Sequence, residues 1–315
     1  MRRTIAAIGR TLVVLGLLIL LFVAYQLWGT GIFTARAQSS LKADFKREQQ
    51  AYQAQHATPV TADPPVKPGE TTSTTSVPQA KLVRTAPPIP AEGDVEALIS
   101  IPKININMAL VEGTSRDDLK KGPGHYPETP MPGTLGNAAI AGHRTTYLHP
   151  FYNINELQPG DDIIIAYANG NKFTYRMTQQ LIVAPSDVAV AANTPDAELT
   201  LTSCNPRFSA AQRIVVKAVL VPNESAPVAK PNPPRQPSGN SGGDDGTLAE
   251  GLSGQSLSKS PAIMWGIIAA LVGLAWWWAF RRWRHPATWL LGLIPFLVVL
   301  FPFYVYLERA LPAGY

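Results

Sequence analysis

Three long apolar stretches without charged residues restrict how this chain of 315 residues can be arranged. They run from Thr11 to Trp28, from Ala262 to Phe280 and from Ala287 to Leu307. A helix needs roughly 20 such residues to cross about 30 Å of hydrocarbon, and aromatic residues near its ends suit the headgroup region. The sequence therefore predicts three transmembrane helices.

Arginines predict the orientation of these helices. They cluster at residues 2–10, before the first stretch, and at residues 281–284, between the second and the third. Because basic residues remain on the cytoplasmic side, residues from about 30 to 260 should lie outside the cell. These boundary arginines also account for the net charge of +5. The sequence has no stripe of basic and aromatic residues, so it does not predict binding to nucleic acid.

The first apolar stretch has a second interpretation, a cleavable signal peptide. Ala35-Arg36-Ala37 resembles a cleavage site. Signal peptides have apolar cores of roughly 7–15 residues, however, and the present stretch is longer. Its length favours an uncleaved anchor.

Two segments rich in proline and small polar residues isolate one compact segment. Such compositions cannot bury enough apolar surface to fold, and prolines keep them extended. The compact segment has the usual size of one domain. The predicted order is a cytoplasmic N-terminus (1–10), a transmembrane helix (11–28), an extracellular stalk and linker (29–93), the folded domain (94–221), a second linker (222–261), a transmembrane helix (262–280), a cytoplasmic turn (281–286), a transmembrane helix (287–307) and a short extracellular tail (308–315).

The folded domain has mostly the pattern of β-strands. Residues 172–177 alternate between polar and apolar side chains, and Asn169-Gly170 just before them is a strong hairpin signal. Many short strands with regular turns predict a closed or nearly closed β-barrel. Further predicted strands lie at 97–104, 106–112, 138–142, 161–168, 198–203 and 213–221, with short helices or turns at 115–122, 151–158 and 187–192.

Cys204, the only cysteine, ends the run Thr-Leu-Thr-Ser-Cys at residues 200–204. Most free cysteines are small buried apolar residues, which is one interpretation of Cys204. In an exported domain, an unpaired thiol needs another explanation. The thiol lies where a strand ends and a loop begins, a place that substrates can reach. The alternative interpretation is therefore a catalytic nucleophile.

A thiol nucleophile needs a proton-transfer group. The domain offers three histidines, His125, His143 and His149. His143 directly follows an apolar strand and precedes a polar loop, so that its position resembles that of Cys204. It is the preferred candidate, although a lone histidine is often structural.

Such a nucleophile also needs a donor that stabilises negative charge on the carbonyl oxygen. Arg213 begins the predicted strand after Cys204, and a hairpin would return it beside that cysteine. Its guanidinium is a fixed fork of donors. Arg144 and Arg207 are alternatives, but as loop residues we expect them to be less well fixed.

Taken in order, the runs AGHRTTY (141–147), TLTSC (200–204) and QRIVV (212–216) resemble the sortase transpeptidases of Gram-positive bacteria. The longer run at 122–147 is most similar to the class E sortases of actinobacteria. The family usually has threonine where this chain has Ser203. The resemblance covers residues 94–221 and implies an eight-stranded β-barrel.

The resemblance also implies a reaction that needs no cofactor and no metal. A sorting signal of the form Leu-Ala-x-Thr-Gly or Leu-Pro-x-Thr-Gly would be cleaved between Thr and Gly. Cys204 would form a thioacyl intermediate, His143 would transfer protons and Arg213 would hold the substrate. The implied partners are surface proteins bearing such a signal and an amine of a cell-wall precursor such as lipid II.

Residues along the cysteine strand are the implied substrate contacts. Tyr126 matches a tyrosine that class E sortases use to prefer Ala over Pro in the signal, although it could equally be a packing aromatic. Two alternative functions remain open: a pilus-polymerising sortase that joins subunits through lysine, and a catalytically silent membrane-anchored binding module. The expected substrate-binding residues are Tyr126, Thr200, Leu201 and Ser203.

Overall fold

The computed structural model describes residues 2–56, 89–231, 259–280 and 286–310. Residues 57–88 of the predicted stalk and linker, 232–258 of the second linker, 281–285 of the predicted cytoplasmic turn and 311–315 of the predicted tail lie outside these described residues. The folded domain lies within them.

Eight β-strands form the folded domain. They are β1 (Val95–Ile101), β2 (Ile106–Glu112), β3 (Gly124–His125), β4 (Gly136–Ala141), β5 (Asp162–Ala166), β6 (Lys172–Val183), β7 (Ala197–Asn205) and β8 (Gln212–Leu220). Around the sheet their order is β1-β2-β3-β4-β7-β8-β6-β5, and the sheet closes into a barrel. The predicted eight-stranded β-barrel is confirmed.

Alternating side chains explain how the barrel is filled. Successive residues of a strand point to opposite faces, so one residue in two lies in the interior. Along β7, Leu199 and Leu201 are completely buried in the central apolar cluster. The same cluster takes residues from β1, β2, β4, β5, β6 and β8, namely Ile99, Leu110, Ile140, Ile163, Phe173 and Val216. The other face of β7, which carries Thr200, Thr202 and Cys204, is therefore directed out of the barrel.

The connections agree with the sequence, with three exceptions. Strands β5 and β6 form an antiparallel hairpin around Asn169-Gly170, and Gly170 has a φ of 84°. The predicted short helices are helix α3 (Arg116–Leu119) and two 3₁₀ turns, Ile154–Glu156 and Val188–Ala191. Strand β3 was not predicted, because two residues are too few for a periodic pattern. Two 3₁₀ turns were not predicted either. Pro102–Ile104 ends the strand that was wrongly predicted to continue to residue 104, because proline has no backbone N–H for a strand ladder, and the second turn is Pro222–Glu224.

The region predicted as a stalk contains a long helix that packs on the barrel. Helix α1 (Arg2–Ala24) continues through a π-helical turn (Tyr25–Gly29) into helix α2 (Thr30–His56). One face of α2 is buried at helical spacing: Thr30, Thr34, Gln38, Leu41 and Phe45. Only two of these five residues are large apolar ones, which is why the sequence did not predict the packing.

Gln38 shows what holds α2 in place. Its side-chain amide donates to the carbonyl of Ala109 at 2.9 Å and to that of Lys121 at 2.9 Å, and accepts from the backbone nitrogen of Ala109 at 2.7 Å. Side-chain hydrogen bonds, rather than apolar area alone, therefore fix this helix against β2 and the turn after α3.

Barrel contacts also continue beyond residue 221, where the sequence predicted a linker. Ala226 donates to the carbonyl of Lys172, and Ala229 donates to that of Gly133 and accepts from Leu135. These are backbone hydrogen bonds, which any composition can make, so the proline-rich sequence did not predict them.

The apolar C-terminal residues form two helices, α4 (Ser260–Phe280) and α5 (Pro286–Ala310). Within the described residues, one helical segment, Ser260–Ala279, is long and apolar enough to cross a membrane. The apolar parts of α1 and α5, Leu12–Ala24 and Gly292–Leu307, are shorter. By length and composition, the structure thus supports one of the three predicted spans.

Gly124 in β3 supplies a test of this barrel. A β-carbon at Gly124 would lie 2.1 Å from the carbonyl oxygen of Gly113, a backbone atom that cannot move without opening the sheet. We expect Gly124→Ala to lower the free energy of unfolding by about 3 kcal/mol. Gly170→Ala is the control, because nothing lies within 4 Å of its β-carbon; its positive φ should cost only about 1 kcal/mol. Urea unfolding followed by circular dichroism compares the two, and equal losses would contradict the proposed close approach.

Candidate active site

Strand pairing brings Cys204 and Arg213 together at one end of the barrel. The two residues are direct partners in the antiparallel pairing of β7 with β8. Directly opposed residues of this kind have β-carbons about 4.5–5.5 Å apart and side chains on the same face. The hairpin predicted to return Arg213 beside Cys204 is therefore present.

His143 reaches the same end from β4. This strand runs parallel to β7, with Ala141 opposite Thr202, and the next backbone nitrogen, of Gly142, donates to the carbonyl of Thr202 at 3.1 Å. Extending this register by two residues brings His143 level with Cys204. Its Nδ1 lies 3.1 Å from the hydroxyl of Thr146.

The Cys204 thiol is buried and electrically neutral near pH 7. Only 2% of the residue is exposed, and it packs in a second apolar cluster outside the barrel with Tyr126, Val190 and Val215. Burial raises the pKa of the thiol to about 11, although the guanidinium groups of Arg213 and Arg144 act in the opposite direction. For Cys204 to act as a nucleophile, its thiol would therefore have to lose a proton first.

Arg213 is a buried cation with uncommitted donors. It is 1% exposed, and its Nη1 donates to the carbonyls of Ala210 and Gln212, each at 3.0 Å. Its Nε and Nη2 are buried and have no hydrogen-bond partner among the residues that the structure describes. Since buried donors are normally paired, these two are suited to an oxygen acceptor brought by a ligand.

Comparison with known proteins identifies the family. Residues 99–221, which span almost the whole barrel and all three candidate residues, match a family described as "Sortase domain". Residues 99–221 of this chain are therefore a sortase domain.

The similar sortases include enzymes of two genera. Sortase SrtE1 of Streptomyces coelicolor is 31% identical over 72% of this chain and 60% of its own length. Sortase D of Bacillus subtilis is 37% identical over 37% of this chain and 58% of its own length. The chain therefore spans less than two thirds of either relative. A solved structure of Streptomyces coelicolor sortase E1 with a tripeptide in the active site is 34% identical, covers 44% of this chain and 91% of that chain, and has a TM-score of 0.39.

The sortase barrel divides the expected substrate contacts between its two faces. Tyr126 and Thr200 lie on the outer face with Cys204, and the hydroxyl of Tyr126 is 3.4 Å from that of Thr202. Leu201 and Ser203 face the interior: Leu201 belongs to the central cluster, and the Ser203 hydroxyl donates to the carbonyl of Gly142 at 2.7 Å. Of the four expected contacts, the side chains of Tyr126 and Thr200 thus lie on the same face as Cys204, and those of Leu201 and Ser203 do not.

The two alternative arginines are fixed more firmly than expected for loop residues. Arg144 is 3% exposed and donates to the carbonyl of Cys204 at 2.8 Å, to that of Tyr152 at 2.9 Å and to the amide oxygen of Asn155 at 2.7 Å. Arg207 lies over the ring of Tyr152, 4.0 Å from its centroid. Arg144 therefore secures the backbone of the nucleophile candidate, a positioning contact that the sequence did not predict.

Of the two remaining histidines, His125 belongs to a buried ionic cluster. Its Nδ1 lies 2.9 Å from a carboxylate oxygen of Glu112 and 3.7 Å from one of Glu96, and its Nε2 lies 3.0 Å from the carbonyl of Pro130. Burial lowers the pKa of His125, but the glutamates outweigh burial and raise it to about 9. His125 is thus a charged partner of glutamate. The ring of His149 lies near that of Tyr152, with centroids 5.2 Å apart and planes inclined by 54°.

The same three residues form a group of possible metal ligands that no local spacing could reveal. One ligand atom from each of Glu96, Glu112 and His125 lies within 4.8 Å of the others. They come from β1, β2 and β3, so that only the folded barrel brings them together. Because both ring nitrogens of His125 already lie within hydrogen-bonding distance of protein oxygens, the geometry is explained by an ion pair.

The high pKa of the single thiol predicts how it reacts. Below its pKa, the thiolate fraction rises about tenfold per pH unit, so the rate of alkylation by iodoacetamide should rise steadily between roughly pH 7 and pH 10. Arg213→Gln should slow alkylation further, since it removes a charge that lowers the pKa of Cys204. Mass spectrometry of the intact protein measures the rate, with Arg207→Gln as the control. A plateau already at pH 7 would contradict the neutral resting thiol.

Proposed function

We propose that this chain is a membrane-anchored cysteine transpeptidase of the class E sortase type. It would cleave a Leu-Ala-x-Thr-Gly or Leu-Pro-x-Thr-Gly sorting signal between Thr and Gly. The observation that carries the proposal is the meeting of Cys204, His143 and Arg213 at one barrel end, with two buried Arg213 donors uncommitted. Family membership of residues 99–221 supports the same conclusion.

The first step transfers the peptide from glycine to sulfur. The Cys204 thiol loses its proton to His143 as sulfur attacks the threonine carbonyl, and the carbonyl oxygen becomes negative. Arg213 stabilises that oxygen through Nε and Nη2, the donors without a hydrogen-bond partner among the described residues. His143 then protonates the glycine amine as the C–N bond breaks, leaving a thioester on Cys204. A small population of thiolate and imidazolium suffices for this step.

The second step restores an amide. An acceptor amine gives a proton to His143 and attacks the thioester, and the Cys204 thiol is regenerated. A thioester retains the energy of the cleaved peptide bond, so no nucleotide is required. We propose an amine of a peptidoglycan precursor such as lipid II as the acceptor and surface proteins bearing the signal as donors.

The substrate would lie along the outer face of β7. This face carries Thr200 and Thr202, and the 3₁₀ turn Val188–Ala191 covers it. The carbonyl of Val190 accepts from Lys217 and from the amide of Asn137, so the cover is fastened to two strands. Since Cys204 and Arg213 are almost fully buried, the cover has to move before a peptide can reach them.

Two alternatives follow from the same barrel. A pilus-polymerising sortase would use a lysine amine as acceptor, and such enzymes usually carry a lid with an Asp-Pro-aromatic motif. The nearest counterpart here, Asp63-Pro64-Pro65, has no aromatic residue and lies outside the described residues. A catalytically silent binding module would keep the barrel without the reaction, but it gives no reason for the buried, uncommitted donors of Arg213.

Variants of the three residues test the reaction with a fluorogenic Leu-Ala-x-Thr-Gly peptide. Cys204→Ala should abolish cleavage, and His143→Ala should lower kcat/KM by roughly 10²-fold or more. Arg213→Lys should cost on the order of 10²-fold, since one ammonium does not reproduce the fork. Arg207→Lys is the matched control and should remain near wild type. Equal turnover by wild type and Cys204→Ala would exclude the transpeptidase, and a missing thioacyl adduct by mass spectrometry would exclude the covalent route.

We further propose that α1, α4 and α5 are three membrane spans that place the barrel outside the cell. The arginine clusters support this orientation. Contacts between the helices support a common bundle: the Tyr304 hydroxyl of α5 donates to the carbonyl of Leu18 in α1 at 2.7 Å, and its ring lies 5.2 Å from that of Phe22. The reaction would then take place beside a lipid-linked acceptor.

Single cysteines introduced into Cys204→Ala test this topology. A membrane-impermeant maleimide should label Ser39→Cys, an exposed position of α2, in intact cells. It should label Arg282→Cys, in the predicted inner turn, only after the membrane is permeabilised. Gel-shift detection distinguishes the two, and labelling of Arg282→Cys in intact cells would contradict the three-span arrangement.

A further inference from the structure

The loop after His143 has an unusual backbone. Three consecutive residues other than glycine, Tyr147, Leu148 and His149, have positive φ angles of 52°, 59° and 37°. Residues other than glycine rarely adopt this left-handed backbone conformation, and it is kept only where the surrounding structure holds it. Some neighbouring element must therefore hold this loop.

The N-terminal end of α2 is that element. The backbone nitrogen of Tyr147 donates to the hydroxyl of Thr30 at 3.4 Å, and the same hydroxyl donates to the carbonyl of Gln26 at 2.6 Å. Thr30 and Tyr147 are both buried. The side chain of Leu148 packs close to Gly31, where a β-carbon would be 3.5 Å from it. The strained loop is thus seated on the start of the helix.

The same loop holds the imidazole of His143. The ring of Tyr147 lies against it, with centroids 4.8 Å apart and planes inclined by 40°. The Thr146 hydroxyl lies 3.1 Å from Nδ1. Tyr147 and Thr146 therefore contact the ring and one ring nitrogen of His143, and the backbone of Tyr147 is held by Thr30 of α2.

Helix α2 is itself fixed to the barrel independently of this loop. One turn beyond Thr30, the Thr34 hydroxyl donates to the carbonyl of Lys120 at 2.7 Å, and Gln38 follows with its three hydrogen bonds. The position of Thr30 is therefore set by the barrel, which makes the start of α2 a firm support for Tyr147.

We propose that Tyr147 is a positioning residue for His143, and that Thr30 of α2 holds Tyr147 in place. This inference rests on the proposed function, in which His143 transfers the proton. It makes the helix that continues from α1 a working part of the reaction centre instead of a passive tether.

Four variants of the full-length protein test this inference with the fluorogenic peptide. Tyr147→Leu removes the ring and should lower kcat by about 10-fold to 100-fold while KM changes less than about twofold. Tyr147→Phe retains the ring and should stay within about threefold of wild type. Thr30→Val and Thr34→Val form a matched pair, because each removes one buried hydroxyl between α2 and the barrel. Only Thr30→Val should lower kcat, by about threefold to tenfold, because the three hydrogen bonds of Gln38 still fix α2 in Thr34→Val.

The outcomes separate this inference from the proposed function. If wild type cleaves the peptide, Cys204→Ala does not, and Tyr147→Leu keeps the wild-type kcat, the positioning role is wrong and the transpeptidase stands. Equal kcat losses in Thr30→Val and Thr34→Val would mean that α2 only stabilises the fold, and would also overturn the inference. Should Tyr147→Leu fail to fold, the threonine pair decides. Cleavage that does not depend on Cys204 would overturn the proposed function itself.

Discussion

The pairing register of β7 determines what this site can do. The end of its parallel partner β4 and the start of its antiparallel partner β8 both lie beside Cys204. A slip of one residue would turn Cys204 into the barrel and bring Ser203 outward, because side chains alternate along a strand. Completely buried Leu199 and Leu201 oppose that slip, since it would remove both from the central apolar cluster and place Thr200 and Thr202 there instead. The apolar core therefore fixes the position of the nucleophile candidate.

Burial of Arg213 makes this arrangement less stable. A buried guanidinium normally has a carboxylate partner or fully used donors, and leaving donors unmet is unfavourable. Arg144 illustrates the satisfied case nearby, with a contact from each of its three side-chain nitrogens. Among the residues that the structure describes, Arg213 has only carbonyl acceptors, and these contact only Nη1. Stability is given up at the place where a substrate oxygen would be stabilised, which is a common feature of catalytic sites.

Local pattern predicted the part of the site that lies at strand ends. His143, Cys204 and Arg213 each adjoin a periodic apolar run, and strand pairing then brings such residues together. Features made by pairing alone escaped prediction: β3 is too short for a pattern, and the cluster around His125 draws on three strands. The packing of α2 on the barrel was not predicted for another reason. It depends on hydrogen bonds from Gln38, which a search for hydrophobic periodicity does not detect. The expectation that loop arginines are less well fixed was wrong for Arg144, whose three hydrogen bonds hold it firmly.

A buried neutral thiol suits an enzyme proposed to work outside the cell. The thiolate is the form that is oxidised, and with a pKa of about 11 its fraction at pH 7 is on the order of 10⁻⁴. The low thiolate fraction protects the single cysteine from oxidation while the turn Val188–Ala191 covers the outer face of β7. It does not prevent catalysis, because a thiolate of high pKa is intrinsically the stronger nucleophile once formed. In the proposed reaction, the thiol would react only after a peptide displaces this turn and brings its carbonyl to Arg213.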